Sequence, residues 1–135
     1  MELNALKELL TDVGLEWQES GDDAVFVMGQ RGDGEEMPVL IKPGEEIELL
    51  CSVGCLPAAN SKPVEANMRQ LAVAMGCEMV LGPAVEEGKG RQVVYECRLT
   101  EEFAWMAAEM TRRFEVASYF LTLQTAPPEA EGTVQ

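Results

Sequence analysis

Between Leu99 and Leu123 the residues Phe103, Met106, Ala107, Met110, Phe114, Ala117 and Leu121 recur at steps of three and four, the period of an amphipathic helix. Thr100 stands ahead of the run as a side-chain cap, and Glu101 and Glu102 set negative charge beside the free N–H groups of the first turn. Burying one stripe does not offset the entropy of ordering about twenty backbone residues at roughly 1 to 2 kcal/mol each. The helix must therefore dock on something, and the rest of the chain offers strands.

Two of these are clear alternations. Ile47, Leu49, Cys51 and Val53 alternate with Glu48, Leu50 and Ser52, and Val93, Tyr95, Cys97 and Leu99 with Val94, Glu96 and Arg98. Each strand so formed has one apolar face and one mixed face. Ala24 to Met28 is a β-branched and aromatic run between Gly21-Asp22-Asp23 and Gly29. After a loop containing Gly32 and Gly34, Met37 to Ile41 returns as a strand, and Pro38, which lacks a donor, indicates an edge position or a strand start. Pro43-Gly44 makes a turn into the strand at Ile47, which Gly54 and Pro57 end. Cys77 to Leu81 is a short strand that Gly82-Pro83 interrupts. Two further helices carry stripes of Leu3, Leu6, Leu10 and Val13, stopped at Gly14, and of Val64, Met68, Leu71 and Met75, capped by Ser61 and closed by Gly76. Trp17 falls in a polar stretch with no assigned element. The order α-β-β-β-α-β-β-α predicts an α+β fold, an antiparallel sheet of about five strands with the helices packed on one face.

The 135 residues, 47% of them hydrophobic, suffice for one core. Residues 1–123 are read as a single domain and 124–135, with Pro127-Pro128 and Gly132, as a disordered tail. The net charge is −14, and residues 1–60 hold 13 acidic and 3 basic side chains. Phosphate backbones and anionic bilayers are repelled by such a surface, which excludes nucleic acid and membrane as partners. Glu2 and Glu8 stand where a targeting signal carries basic residues, and no apolar run reaches the roughly 20 residues that cross a bilayer. The expected location is cytoplasmic, where Cys51, Cys55, Cys77 and Cys97 stay reduced.

Catalytic chemistry has little to work with. The absence of histidine removes the usual general base near neutral pH and the commonest metal ligand. The four cysteines lack the paired C-x2-C knuckles of a zinc site, and Cys51 and Cys97 share the apolar parity of their strands, where free cysteine packs as a small hydrophobe. Gly82 to Gly90 fails as a phosphate loop, with five residues between Gly82 and Gly88 and Gly90 where a magnesium-binding hydroxyl belongs. Asp22-Asp23 and Asp33-x-Glu35-Glu36 lack the spacing of a calcium loop and read as solvated turns, and Arg31-Gly32-Asp33 is a chance tripeptide. The eight methionines, among them Met68, Met75, Met106 and Met110, are core filler before they are a peptide groove.

This order of elements, with Leu99-Thr-Glu-Glu-Phe-Ala-Trp105 leading from the last strand into the last helix, resembles the YbjN family of small bacterial proteins over residues 3–123. That family is similar in fold to the class I type III secretion chaperones, the CesT-like group. The resemblance implies a homodimeric, cytosolic, non-enzymatic protein that binds an extended or partly unfolded polypeptide, with no cofactor and no metal. The expected function is a protein-binding module, chaperone- or regulator-like, that takes a client segment on a sheet edge or apolar patch. Leu50 and Val94 on the mixed faces, and the aromatic anchors Trp17, Trp105 and Tyr119, are its candidate contacts. The alternatives are an assembly factor for one folded partner and, more distantly, an enzyme working through carboxylates such as Asp22, Asp23 or Glu35.

Overall fold

A computed structural model describes residues 1–84 and 90–125. Helix α1 (Leu3–Asp12) leads into β1 (Trp17–Ser20), β2 (Ala24–Gln30), β3 (Glu36–Lys42) and β4 (Glu46–Cys55). Helix α2 (Ser61–Ala74), β5 (Glu78–Ala84), β6 (Arg91–Thr100), a 3-10 turn (Glu101–Met106) and α3 (Ala107–Gln124) complete the chain. All the strand pairings are antiparallel, in the order β1-β2-β3-β4-β6-β5. The α+β class and the antiparallel sheet agree with the pattern in the sequence, but the sheet has six strands instead of about five. The addition is β1, whose residues Trp17-Gln-Glu-Ser20 carry no apolar alternation and are held by pairing with Ala24 to Val27.

Burial alternates along the central strands. Val25, Val27, Val39, Ile41, Ile47, Leu49, Cys51, Val53, Val93, Tyr95, Cys97 and Leu99 form the sheet's buried side. Against it lie Leu6 and Leu10 of α1, Val64, Met68 and Ala72 of α2, and Ala107, Met110, Phe114, Ala117 and Leu121 of α3. The Tyr95 hydroxyl donates to the Met68 carbonyl and ties β6 to α2. Gly54 approaches α3 closely, and an added Cβ there would meet Leu121 Cδ2 at 2.8 Å. It sits inside β4 at a register shift between Ser52 and Gly54, so it bends the strand where an end was expected.

Several local expectations are corrected. The terminal run does not begin as an α-helix: Glu101–Met106 is 3-10, and three residues per turn put Ala104 and Ala107 on the buried line and rotate Phe103 outward, 47% exposed. Neither Thr100 nor Ser61 makes a capping side-chain bond, and Asn60, in the left-handed region, precedes α2. On α2 the fully buried positions are Val64, Met68 and Ala72, with Leu71 and Met75 half-buried at the margin of the stripe. Strand β3 lies inside the sheet, and Pro38 is tolerated near its start because pairing with β4 begins only at Val39. Strand β5 continues through Gly82-Pro83, with a register shift between Leu81 and Ala84. The expected disordered tail falls, from residue 126 on, outside the described residues, while Gln124 ends α3; residues 85–89 of the Gly82–Gly90 loop also fall outside.

Candidate binding face

Side chains of opposite parity to the core point away from the helices. Pairing registers set Phe26 beside Leu40, Leu40 beside Leu50, Met28 beside Pro38, and Ser52 beside Val94. These residues, with Ser20 and Gln92, line a shallow trough of about 580 Å³. Leu40 and Leu50 also line its continuation, about 250 Å³, which ends among Lys42, Glu48, Glu96 and Arg98. The bare face is thus an apolar trough closed at one end by charges of both signs, and Arg98 pairs with Glu48 at 3.6 Å across solvent-exposed positions. Met28 and Leu50 are 39% and 38% exposed, too open to be core.

The five candidate contacts lie in four places. Leu50 and Val94 share the trough, joined there by Phe26, Met28, Pro38 and Leu40, whose parity opposite to Val25, Val27, Val39 and Ile41 groups them in the sequence without saying which side is covered. Trp105, on the 3-10 turn, and Tyr119, on the outer side of α3, are exposed away from the core. Tyr119 belongs to an outer stripe with Val116, Phe120 and Leu123. Trp17 is half-buried at the seam of β1 and α1: its indole N–H donates to Thr11 Oγ1 at 3.0 Å, and the Lys7 ammonium lies 5.1 Å from its ring. Lys7 also bonds Glu19 at 2.7 Å and holds that carboxyl below the usual range.

The carboxylates proposed for an enzyme are not gathered. Asp22 and Asp23 precede β2 and Glu35 follows it, so seven extended residues, roughly 20 Å, separate them. Asp33 is clasped by its own neighbour, Arg31, through bonds of 2.7 to 3.0 Å, which together with the Glu35 backbone N–H depress its carboxyl pKa. No group of three cysteine or acidic side chains among the described residues is placed to hold a metal. Among the described residues, no helix is long and apolar enough to cross a membrane.

The class so defined is an α+β protein whose six-stranded antiparallel sheet carries helices on one side and an apolar trough on the other. Its fold is that of YbjN, a candidate transcription regulator from E. coli known from a crystal structure: the TM-score is 0.67 at 16% sequence identity, over 92% of this chain and 93% of that one. No family model matches the sequence, and no curated protein sequence matches it.

Proposed function

We propose that this chain is a non-enzymatic, regulator-like protein-binding module that takes a polypeptide segment across the bare face of its sheet. The observation that carries the proposal is the trough of Phe26, Met28, Pro38, Leu40, Leu50 and Val94, apolar side chains set in register on a ladder and left open among the described residues. A segment with alternate apolar side chains fits the trough, and a charged residue at its end fits Glu48 and Arg98. The face is a better seat than the β5 edge, because three carbonyls of that strand already have side-chain donors: Met79 has Arg69, and Leu81 and Gly82 have Arg91. Regulation, the role proposed for YbjN, would here run through a protein partner, since a net charge of −14 disfavours a nucleic acid. A second copy of the chain pairs through the outer stripe of α3, leaving the trough free.

The test is affinity capture from the native cell with the full chain and with the Met28→Ser/Leu50→Ser variant. Both positions are exposed, so the variant keeps its thermal midpoint. A companion held by the parent and lost by the variant supports the face. Identical companions for both would overturn it.

A further inference from the structure

We propose that Cys77 and Cys97 form a redox-modification site, a dithiol that a small peroxide entering the adjoining cavity converts to a cross-strand disulfide. Glu78 stands opposite Glu96 in the antiparallel pairing of β5 with β6, so the next pair outward sets Cys77 opposite Cys97. Opposite residues in such a ladder have Cα atoms about 4.5 or about 5.5 Å apart and side chains on the same face. Either spacing falls within the roughly 4.4 to 6.8 Å that a disulfide spans. Both thiols are free and nearly covered, and a cavity of about 310 Å³ adjoins the two residues, lined also by Gly76, Glu78, Glu96 and Arg98.

The chemistry of the pair is asymmetric. Cys77 beside it holds the Cys97 thiol below its ordinary pKa, against the cost of burial and with help from the Arg113 guanidinium, which donates to the Met75 carbonyl at 3.0 Å. The Cys77 thiol is raised, first by that same partnership and then by burial. Of the two, Cys97 is therefore the sulfur that gives up its proton first and attacks. Its sulfur attacks one peroxide oxygen, the O–O bond breaks, and the departing hydroxide takes a proton to leave as water. Cys77 then attacks the sulfenic sulfur: the S–S bond forms, the S–O bond breaks, and the Cys77 proton leaves with the second water. The two cysteines lose two electrons and two protons in all, and one peroxide becomes two waters. The other cysteines lack such a partner across the ladder: Cys51 faces Val39 and Tyr95, and Cys55 faces Gln92.

The experiment treats the reduced, folded full chain with hydrogen peroxide, quenches with an alkylating agent in denaturant, and maps the products by intact mass and non-reducing peptide digestion. The expected product has lost two hydrogens, keeps two alkylatable thiols, carries a Cys77–Cys97 linked peptide as its main cross-link, and returns to four thiols with a reductant. Cys51→Ser leaves the Cys77–Cys97 cross-link unchanged with one free thiol remaining, and Cys77→Ser stops oxidation of Cys97 short of any disulfide. A main cross-link between any other pair, no intramolecular cross-link, or oxidation of Cys97 no faster than that of Cys51 would each overturn the proposal.

Discussion

Gly32 lies in the β2–β3 connection where the chain crosses the outer turn of α3, and its N–H donates to Ser118 Oγ at 2.8 Å. A Cβ built there would fall inside contact distance of Thr122 Oγ1, 2.7 Å from the Ser118 carbonyl oxygen and 2.8 Å from Tyr119 Cα. Two of these three neighbours are helix backbone and cannot rotate aside. Gly32→Ala must lift the loop off α3. Overpacking costs about 1 to 3 kcal/mol, and the strained bond to Ser118 about 0.5 to 1.5. Reduced freedom of the unfolded chain returns about 0.4 to 1. The net loss is about 0.5 to 4 kcal/mol and centres on about 2, a fall in thermal midpoint of roughly 6 to 10 °C at that centre for a chain of this size. Urea denaturation followed by circular dichroism measures it. Adding Thr122→Ala removes the one side-chain neighbour and should restore little, because the backbone contacts remain. A Gly32→Ala protein within about 0.5 kcal/mol of the parent, or full rescue by Thr122→Ala, would refute the reasoning.

Three further outcomes follow from single contacts. Tyr95→Phe removes the buried hydroxyl that the Met68 carbonyl accepts and should cost about 1 kcal/mol in urea unfolding, with the m-value unchanged. Burial, reinforced by the Glu115 carboxylate, pushes the Cys51 thiol up to about 12, so at pH 8 alkylation of Cys51 should wait for unfolding; labelling of the native chain at the rate of the denatured one would contradict this. The Asp33 carboxyl is held low chiefly by Arg31, so its small contribution is present above the unfolded pKa and disappears as pH falls through the lower folded value. A carboxyl NMR titration should find its midpoint below the ordinary aspartate value, and Arg31→Gln should raise it.

The strands that alternate were legible because a sheet with one covered face forces period two on its central members, as Ile47 to Val53 and Val93 to Leu99 show. Strand β1 was not, because Trp17 to Ser20 is an edge strand fixed by its partner's backbone and not by its own side chains. The first turn of the terminal run misled for a related reason: Phe103 keeps helical spacing in the sequence, but the chain leaves β6 too tightly for an α-turn, and the 3-10 winding presents Ala104 instead. The bare face was half legible. Leu50 and Val94 stood out on the best-patterned strands, while Phe26, Met28 and Leu40 sit in runs where both parities are apolar and only the register shows which side is covered. Trp17, Trp105 and Tyr119 were singled out by residue type alone, and type does not place them together.

Charge decides which occupant the bare face prefers. Strands β1 to β4, which carry most of the trough, belong to residues 1–60, where 13 acidic side chains meet 3 basic ones. Two copies brought trough to trough would oppose these halves at close range, whereas a basic or neutral segment meets no such barrier. Exposed charges are screened over about 10 Å at 0.1 M salt and about 3 Å at 1 M. Capture of a basic segment that depends on Met28 and Leu50 should therefore weaken as salt rises, while any self-association through the trough should strengthen, and sedimentation across that range separates the two. A dimer formed through α3 lies outside this opposition, so Leu123→Glu on the outer stripe should dissolve it at every salt concentration and leave capture by the trough intact. Loss of capture along with the dimer would place the partner on α3 and leave the bare face without a role.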